Sequence, residues 1–202
     1  MVKHPRSDDT RSAVLDVVCQ RLWKHDEGLI RIADVCSETG LSSSVIYNHF
    51  RSRQGLIDAA YLEIYREITT ELLDVFKVVM TDADSAETII ERLREQISDP
   101  AHEHVWEDRR HMRIRVATAA IARNSMRQEF AVLQDAYLRA IAAYFTDLQE
   151  RGVVGNLLAP DQQAIMFESC LVLRSFVDIA VERVDDDNWL GMLAIVLGSS
   201  QH

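Results

Sequence analysis

The residues best equipped for chemistry lie in Ala101–Arg115 (AHEHVWEDRRHMRIR), where histidine, arginine and acidic side chains crowd more densely than anywhere else in the chain. On a helix, His104, Asp108, His111 and Arg115 share one face, and the first three have the donor types of a divalent-metal site. A stripe of this kind is more often a solvated face, and the expectation is that no metal is bound. Arg113 lies beside Ile114 and Ala117. From there a guanidinium can point into an apolar cavity and pair with an anionic group, with Trp106 as one wall. Catalysis finds no support, because the chain has no GxSxG, no Walker sequence, no HExxH and no dinucleotide fingerprint. The expectation is a protein that is not an enzyme and needs no cofactor.

A second set of residues is suited to binding. Between Thr39 and Ile57 no acidic residue occurs, while His49, Arg51 and Arg53 do, so this window can approach phosphate without like-charge repulsion. The net charge of -10 arises elsewhere: residues 1–58 hold eight Lys/Arg and eight Asp/Glu, residues 59–202 hold fourteen and twenty-four. An acidic remainder would keep the rest of the molecule off a polyanion.

The elements that must position these residues are helical. Seven glycines and three prolines in 202 residues are few, and neither type occurs between Gly55 and Pro100 or between Pro100 and Gly152. Apolar spacing gives a first helix over Thr10–Lys24, a short second over Arg31–Glu38, and a third over Ser42–Phe50 capped by Ser42. Gly40 stands in the turn between the last two, which makes a helix-turn-helix. A long fourth helix runs from Ser52 to Met80. Asp84 with Glu87 looks like the capping pair of a fifth ending near Asp99. Helices over Ala101–Arg123, Ser125–Arg151 and Asp161–Arg183 follow, with a loop at Gly152–Pro160 and a final apolar helix around Trp189–Leu197. The fold class is therefore all-α. The expected organisation is a flexible tail at 1–9, a helix-turn-helix domain at 10–51 and a helical body at 52–202.

No apolar run approaches the roughly 18 residues of a membrane span. The first nine residues lack the apolar segment of a signal peptide, and Cys19, Cys36 and Cys170 form no disulfide or zinc pattern. The expected location is the cytoplasm, with no membrane partner. The last two helices have more apolar surface than one core can use. Asp161–Arg183 carries one stripe at Met166, Cys170, Leu173 and Val177 and another at Ile165, Val172, Phe176 and Ile179, and the final helix has almost no polar face. A homodimer interface built on Met166, Cys170, Leu173, Val177, Trp189, Leu193 and Val196 is the simplest reading. Arg174 and Asp178, four residues apart, suit a salt bridge that fixes helix register or dimer pairing, or an exposed pair of little consequence.

At Arg31–Ile57 (RIADVCSETGLSSSVIYNHFRSRQGLI) the sequence resembles the TetR family of bacterial transcriptional regulators, through Gly40-Leu41-Ser42 in the turn, Tyr47-Asn48-His49-Phe50 in the recognition helix, and Ser52-Arg53 with Leu56 opening the next helix. With the first helix, the resemblance covers about 50 residues. It implies an N-terminal three-helix DNA-binding head, a C-terminal ligand-binding and dimerisation body, and repression at a near-palindromic double-stranded DNA operator, relieved by a small-molecule effector. Tyr47 and Arg53 match the family's phosphate-contacting positions, and Arg31, Ser42 and His49 are candidate additions. Ser43, Ser44, Val45 and Asn48 match positions facing base edges, where Asn can pair with adenine and Val can meet a thymine methyl. In the body, Trp106, Arg113, Phe130 and Tyr137 are the candidate effector contacts. The alternative reading is a helical small-molecule-binding protein or enzyme that keeps the helix-turn-helix only as a packing module.

Overall fold

The computed structural model of the chain describes residues 7–97, 103–182 and 184–198. All its regular elements are helical: α1 Ser7–Lys24, a single 3-10 turn Glu27–Leu29, α2 Ile32–Thr39, α3 Ser43–Phe50, α4 Arg53–Met80, α5 Ala86–Ile97, α6 Glu103–Ala122, α7 Asn124–Glu150, α8 Pro160–Val177 and α9 Asp186–Leu197. No strand occurs among the described residues. None of the described helices is long and apolar enough to cross a membrane.

Helix boundaries depart from sequence expectation where side chains act as caps or stops. Of the expected tail, residues 1–6 lie outside the described residues, and Ser7 to Asp9 already belong to α1. The start of α5 is fixed by Ser85, whose Oγ accepts from the Thr88 backbone N–H at 3.1 Å. Asp84 instead takes the Thr88 hydroxyl at 2.6 Å, and Glu87 is exposed. Helix α8 stops at Val177, short of the expected Arg183. There the Ala180 N–H reaches back only three residues, to the Val177 carbonyl at 3.1 Å, which tightens and ends the helix. Asp185 caps α9 by accepting from the Asn188 N–H at 2.7 Å.

The chain divides into two compact units: residues 1–67 with 116–130, and residues 68–115 with 131–202. By compactness one division falls inside α4, between Glu67 and Ile68. In the first unit the core is built by Val14, Val18 and Leu22 of α1, Val35 of α2, Ile46 and Phe50 of α3, and Leu56, Ile57, Ala60 and Ile64 of α4, all buried. Fully burying side chains of this size is worth about 1.5–3 kcal/mol each. Arg21 of α1 ties α2 down by pairing with Asp34 at 3.3 Å and with Glu38. The second unit has its own core, centred on Phe167, whose ring meets Phe76 at 5.4 Å and Phe145 at 5.7 Å, both edge-on.

Candidate functional site

In the first unit, α2, the Gly40–Ser42 turn and α3 form a helix-turn-helix. Gly40 adopts the left-handed conformation (φ 69°) that terminates α2, a backbone state costly for other residues. Ser42, extended at φ -78° and ψ 153°, starts α3; its hydroxyl shares a 2.8 Å hydrogen bond with that of Ser44 and does not cap the helix backbone. The inward side of α3 is Ile46 and Phe50. Its outward side presents Ser43, Ser44, Tyr47 and Asn48, with Tyr47 43% exposed, while Val45 and His49 are half-buried. His49 stands beside the Phe50 ring at 6.1 Å, and Arg11 lies over that ring at 5.6 Å. Arg31 and Arg51 are exposed at the ends of α2 and α3.

The passage from α3 to α4 leaves no room for a side chain at one point. A Cβ on Gly55 would sit 2.2 Å from the Phe50 carbonyl oxygen, and the Gly55 N–H donates to Ser52 Oγ at 2.9 Å. Arg53 is half-buried here, and its guanidinium is committed to the protein. Nε donates to the Ile30 carbonyl at 2.7 Å, and Nη2 donates to the Glu27 carbonyl. Arg53 therefore fastens the 3-10 turn to the start of α4, whereas the sequence suggested a phosphate contact. The two carbonyls stand 23 and 26 positions earlier in the chain, and no pattern around Arg53 announces them. Arg123, in the break between α6 and α7, was likewise unforeseen. It pairs with Glu27 and with the buried Asp58 at 2.9 Å, and lies over the Tyr61 ring at 5.9 Å. Ser125 gives Asp58 a further bond at 2.9 Å.

The second unit holds a partly open cavity of about 130 Å³ between α4, α5, α6, α8 and α9. Ile68, Leu72, Val75, Phe76 and Leu171 make its apolar wall, Trp106 and Trp189 its indole walls. Arg109, Arg110, Arg113 and Arg174 supply its cations. Each is paired: Arg109 with Glu71, Arg110 with Asp178, Arg113 with Glu168, and Arg174 with Asp178 at 3.0 Å and Asp186 at 2.7 Å. The Arg174–Asp178 pair foreseen from the sequence is thus part of a network within this unit. Burial pushes the Glu168 carboxyl above its ordinary range, against the pull of Arg113 and of the Tyr137 hydroxyl, which donates to it at 3.2 Å.

No family sequence model and no curated protein matches the chain by sequence. By structure, it is similar over 94% of its length to all of a protein described as a TetR-family transcriptional regulator from Rhodococcus sp., with a TM-score of 0.65 and 22% identity. A protein so described from Mesorhizobium loti matches 96% of this chain with 96% of its own, at a TM-score of 0.68 and 13% identity. The fold is that of TetR-family regulators. A transcriptional regulator from Saccharomonospora viridis, solved in complex with choline, shares this TetR fold over 93% of the present chain and 95% of its own, at a TM-score of 0.65 and 20% identity.

Within this TetR-type fold, the candidate effector residues separate. Trp106 and Arg113 line the cavity. Tyr137 does not line it but supports it, under Arg113 at 5.3 Å from its ring centroid. Phe130 belongs to the first unit, where it packs against Tyr65 at 4.7 Å. Of the possible metal set, Asp108 is exposed and His111 half-buried, and the His104 side chain lies outside the described residues. No cluster of three metal-ligating side chains occurs among the described residues.

The expected dimer surface needs correction. Trp189 is 5% exposed and Leu193 fully buried, both in the core of the second unit. Cys170, Val177 and Val196 are half-buried, and Cys170 and Val196 pack against that core. Only Met166 and Leu173 of the expected set are exposed, and they stand with Ile165, Val172, Phe176 and Ile179 on the outer side of α8. The inner side of α8 is instead Gln163, Ala164, Phe167, Glu168 and Ser175. Three of these five are polar, so apolarity could not distinguish inside from outside.

Proposed function

We propose that the protein is a homodimeric, sequence-specific DNA-binding regulator of transcription, a repressor released from a near-palindromic operator when a small molecule occupies the cavity of the second unit. The observation that carries this reading is the outer side of α3, where Ser43, Ser44, Tyr47 and Asn48 are exposed with no carboxylate among them. These are hydrogen-bonding side chains on a helix of eight residues, a size that enters the major groove. In this reading Asn48, Ser43, Ser44 and Val45 meet base edges. Tyr47, Ser42, Arg31 and Arg51 hold phosphates, and His49 stands at the margin. Arg53 acts indirectly, by holding the turn at Glu27–Leu29 against α4.

A palindrome reader needs a two-fold partner, and the outer side of α8 supports one. Leu173 at 52% and Phe176 at 55% exposure, with four further apolar neighbours, form the kind of patch that monomers rarely leave in water. Release by ligand follows from linkage. A ligand lowers DNA affinity only to the extent that it binds the non-binding conformation more tightly.

The test is selection of preferred sequences from a random duplex library by the purified protein, followed by titration of the winner at two salt concentrations. An enriched palindrome whose affinity falls as salt rises supports the regulator. No enrichment from folded protein at low salt favours the alternative, in which the helix-turn-helix only packs.

A further inference from the structure

The cavity of the second unit specifies the charge and size of what it can hold. All four guanidiniums in its wall already have carboxylate partners. An anionic ligand therefore meets guanidiniums whose charge is already compensated, with Arg174 Nη1 as a buried donor that has no hydrogen-bond partner, and is repelled by the Asp178, Asp186 and Glu71 carboxylates beside them. A cationic ligand meets the opposite obstacle. The indole rings that would receive it each carry a guanidinium, Arg109 at 5.5 Å from the Trp106 centroid and Arg174 at 5.3 Å from that of Trp189. Glu107, Asp178 and Asp186 also line the space, and with Glu71 and Glu168 they balance the four guanidiniums, so the wall carries no large excess of either sign. The remaining wall is aliphatic and aromatic. At about 130 Å³ the volume approaches the roughly 150 Å³ of an engineered apolar cavity that takes benzene.

We propose that this charge-compensated cavity selects an uncharged, apolar molecule of about the size of one aromatic ring, and that Glu71 and Asp186 set this selectivity by occupying guanidiniums that would otherwise take an organic acid. The identity of this molecule as the effector rests on the regulator reading, whereas its binding does not.

Benzyl alcohol, benzoate and benzylamine share one skeleton and differ in charge, so they separate the possibilities. Binding is followed on the full-length protein by the indole N–H resonances of its three tryptophans. Trp106 and Trp189 line the cavity, and Trp23 lies in the other unit as an internal control. Benzyl alcohol should shift the Trp106 and Trp189 signals with a Kd on the order of 1 mM, as suits so small a ligand. Benzoate and benzylamine should bind about tenfold or more weakly, one pKa unit's worth of charge penalty. Glu71→Gln, at an exposed position, should improve benzoate binding severalfold while leaving benzyl alcohol unchanged, and Asp186→Asn, in the cavity wall, should raise benzoate affinity severalfold relative to benzyl alcohol.

Preference of the wild-type protein for benzoate or benzylamine would overturn the proposal. So would no shift of Trp106 and Trp189 in folded protein, or unchanged benzoate affinity in both variants. The two readings fail separately. Cavity binding without any enriched duplex defeats the regulator and leaves the cavity's selectivity standing. An enriched duplex with no benzyl alcohol binding defeats only the cavity's selectivity. Benzyl alcohol bound with no change in affinity for an enriched duplex removes this ligand class as effector.

Discussion

Replacing Arg53 with alanine distinguishes a structural fastening from a phosphate contact. In the structure its guanidinium gives one hydrogen bond of 2.7 Å to the Ile30 carbonyl and another to the Glu27 carbonyl. Hydrogen bonds from a charged donor contribute about 1.5–3 kcal/mol each. Because Arg53 is only half-buried and water can replace part of what is lost, the pair together is worth about 2 kcal/mol. At 1.4 kcal/mol per tenfold, that is roughly a 30-fold increase in local opening. Hydrogen–deuterium exchange of the segment Glu27–Ile32 should accelerate by about this factor in Arg53→Ala, with amides of α5 and α9 unchanged. DNA binding gives the complementary readout. A phosphate-contacting cation removed from both protomers lowers the slope of log affinity against log salt by about 1.8. Arg53→Ala should leave that slope unchanged on random duplex, whereas Arg31→Ala should reduce it. A reduced slope for Arg53→Ala with wild-type exchange at Glu27–Ile32 would refute the reasoning and return Arg53 to the phosphate.

Gly55→Ala should destabilise the first unit by about 2 kcal/mol or more, because its Cβ falls 2.2 Å from the backbone oxygen of Phe50; denaturant titration of the purified variant checks this. Leu173→Asp combined with Phe176→Asp should yield a folded monomer by analytical ultracentrifugation, with wild-type helicity, and a dimer from that variant would place the interface elsewhere. For Glu168 the sign follows from its raised pKa. The folded state holds the proton more tightly than the unfolded chain, so this group's stabilisation is full below its ordinary 4.5 and is lost as pH rises through the raised value. Melting temperatures across that range should show this loss in the wild type and not in Glu168→Gln, which keeps an acceptor for Arg113 and Tyr137. A parallel pH profile in the two proteins would contradict the assignment.

The sequence alone determined the helix-turn-helix, because everything that defines it is local. The period of Val35, Ile46 and Phe50, the left-handed residue at Gly40 and the extended Ser42 lie within about twenty positions, and each reports a backbone state directly. It also determined the all-helical class, through the scarcity of glycine and proline between Gly55 and Gly152. Tertiary structure decided the rest. Helix α9 is apolar nearly all round, so its pattern has a period but no phase, and only packing shows that Trp189 and Leu193 face inward while Ile195 stays outside. On α8 the phase was misleading, since Glu168 and Ser175 face the core and Phe176 faces out. The inward charge is tolerable only because Arg113 and Tyr137, from α6 and α7, meet it. The partners of Arg53, Arg123 and Arg174, and the cavity wall that Arg174 borders, are set by which helices come together. A one-dimensional periodicity records that a helix has a face to bury; the identity of what that face meets is a property of the packed chain.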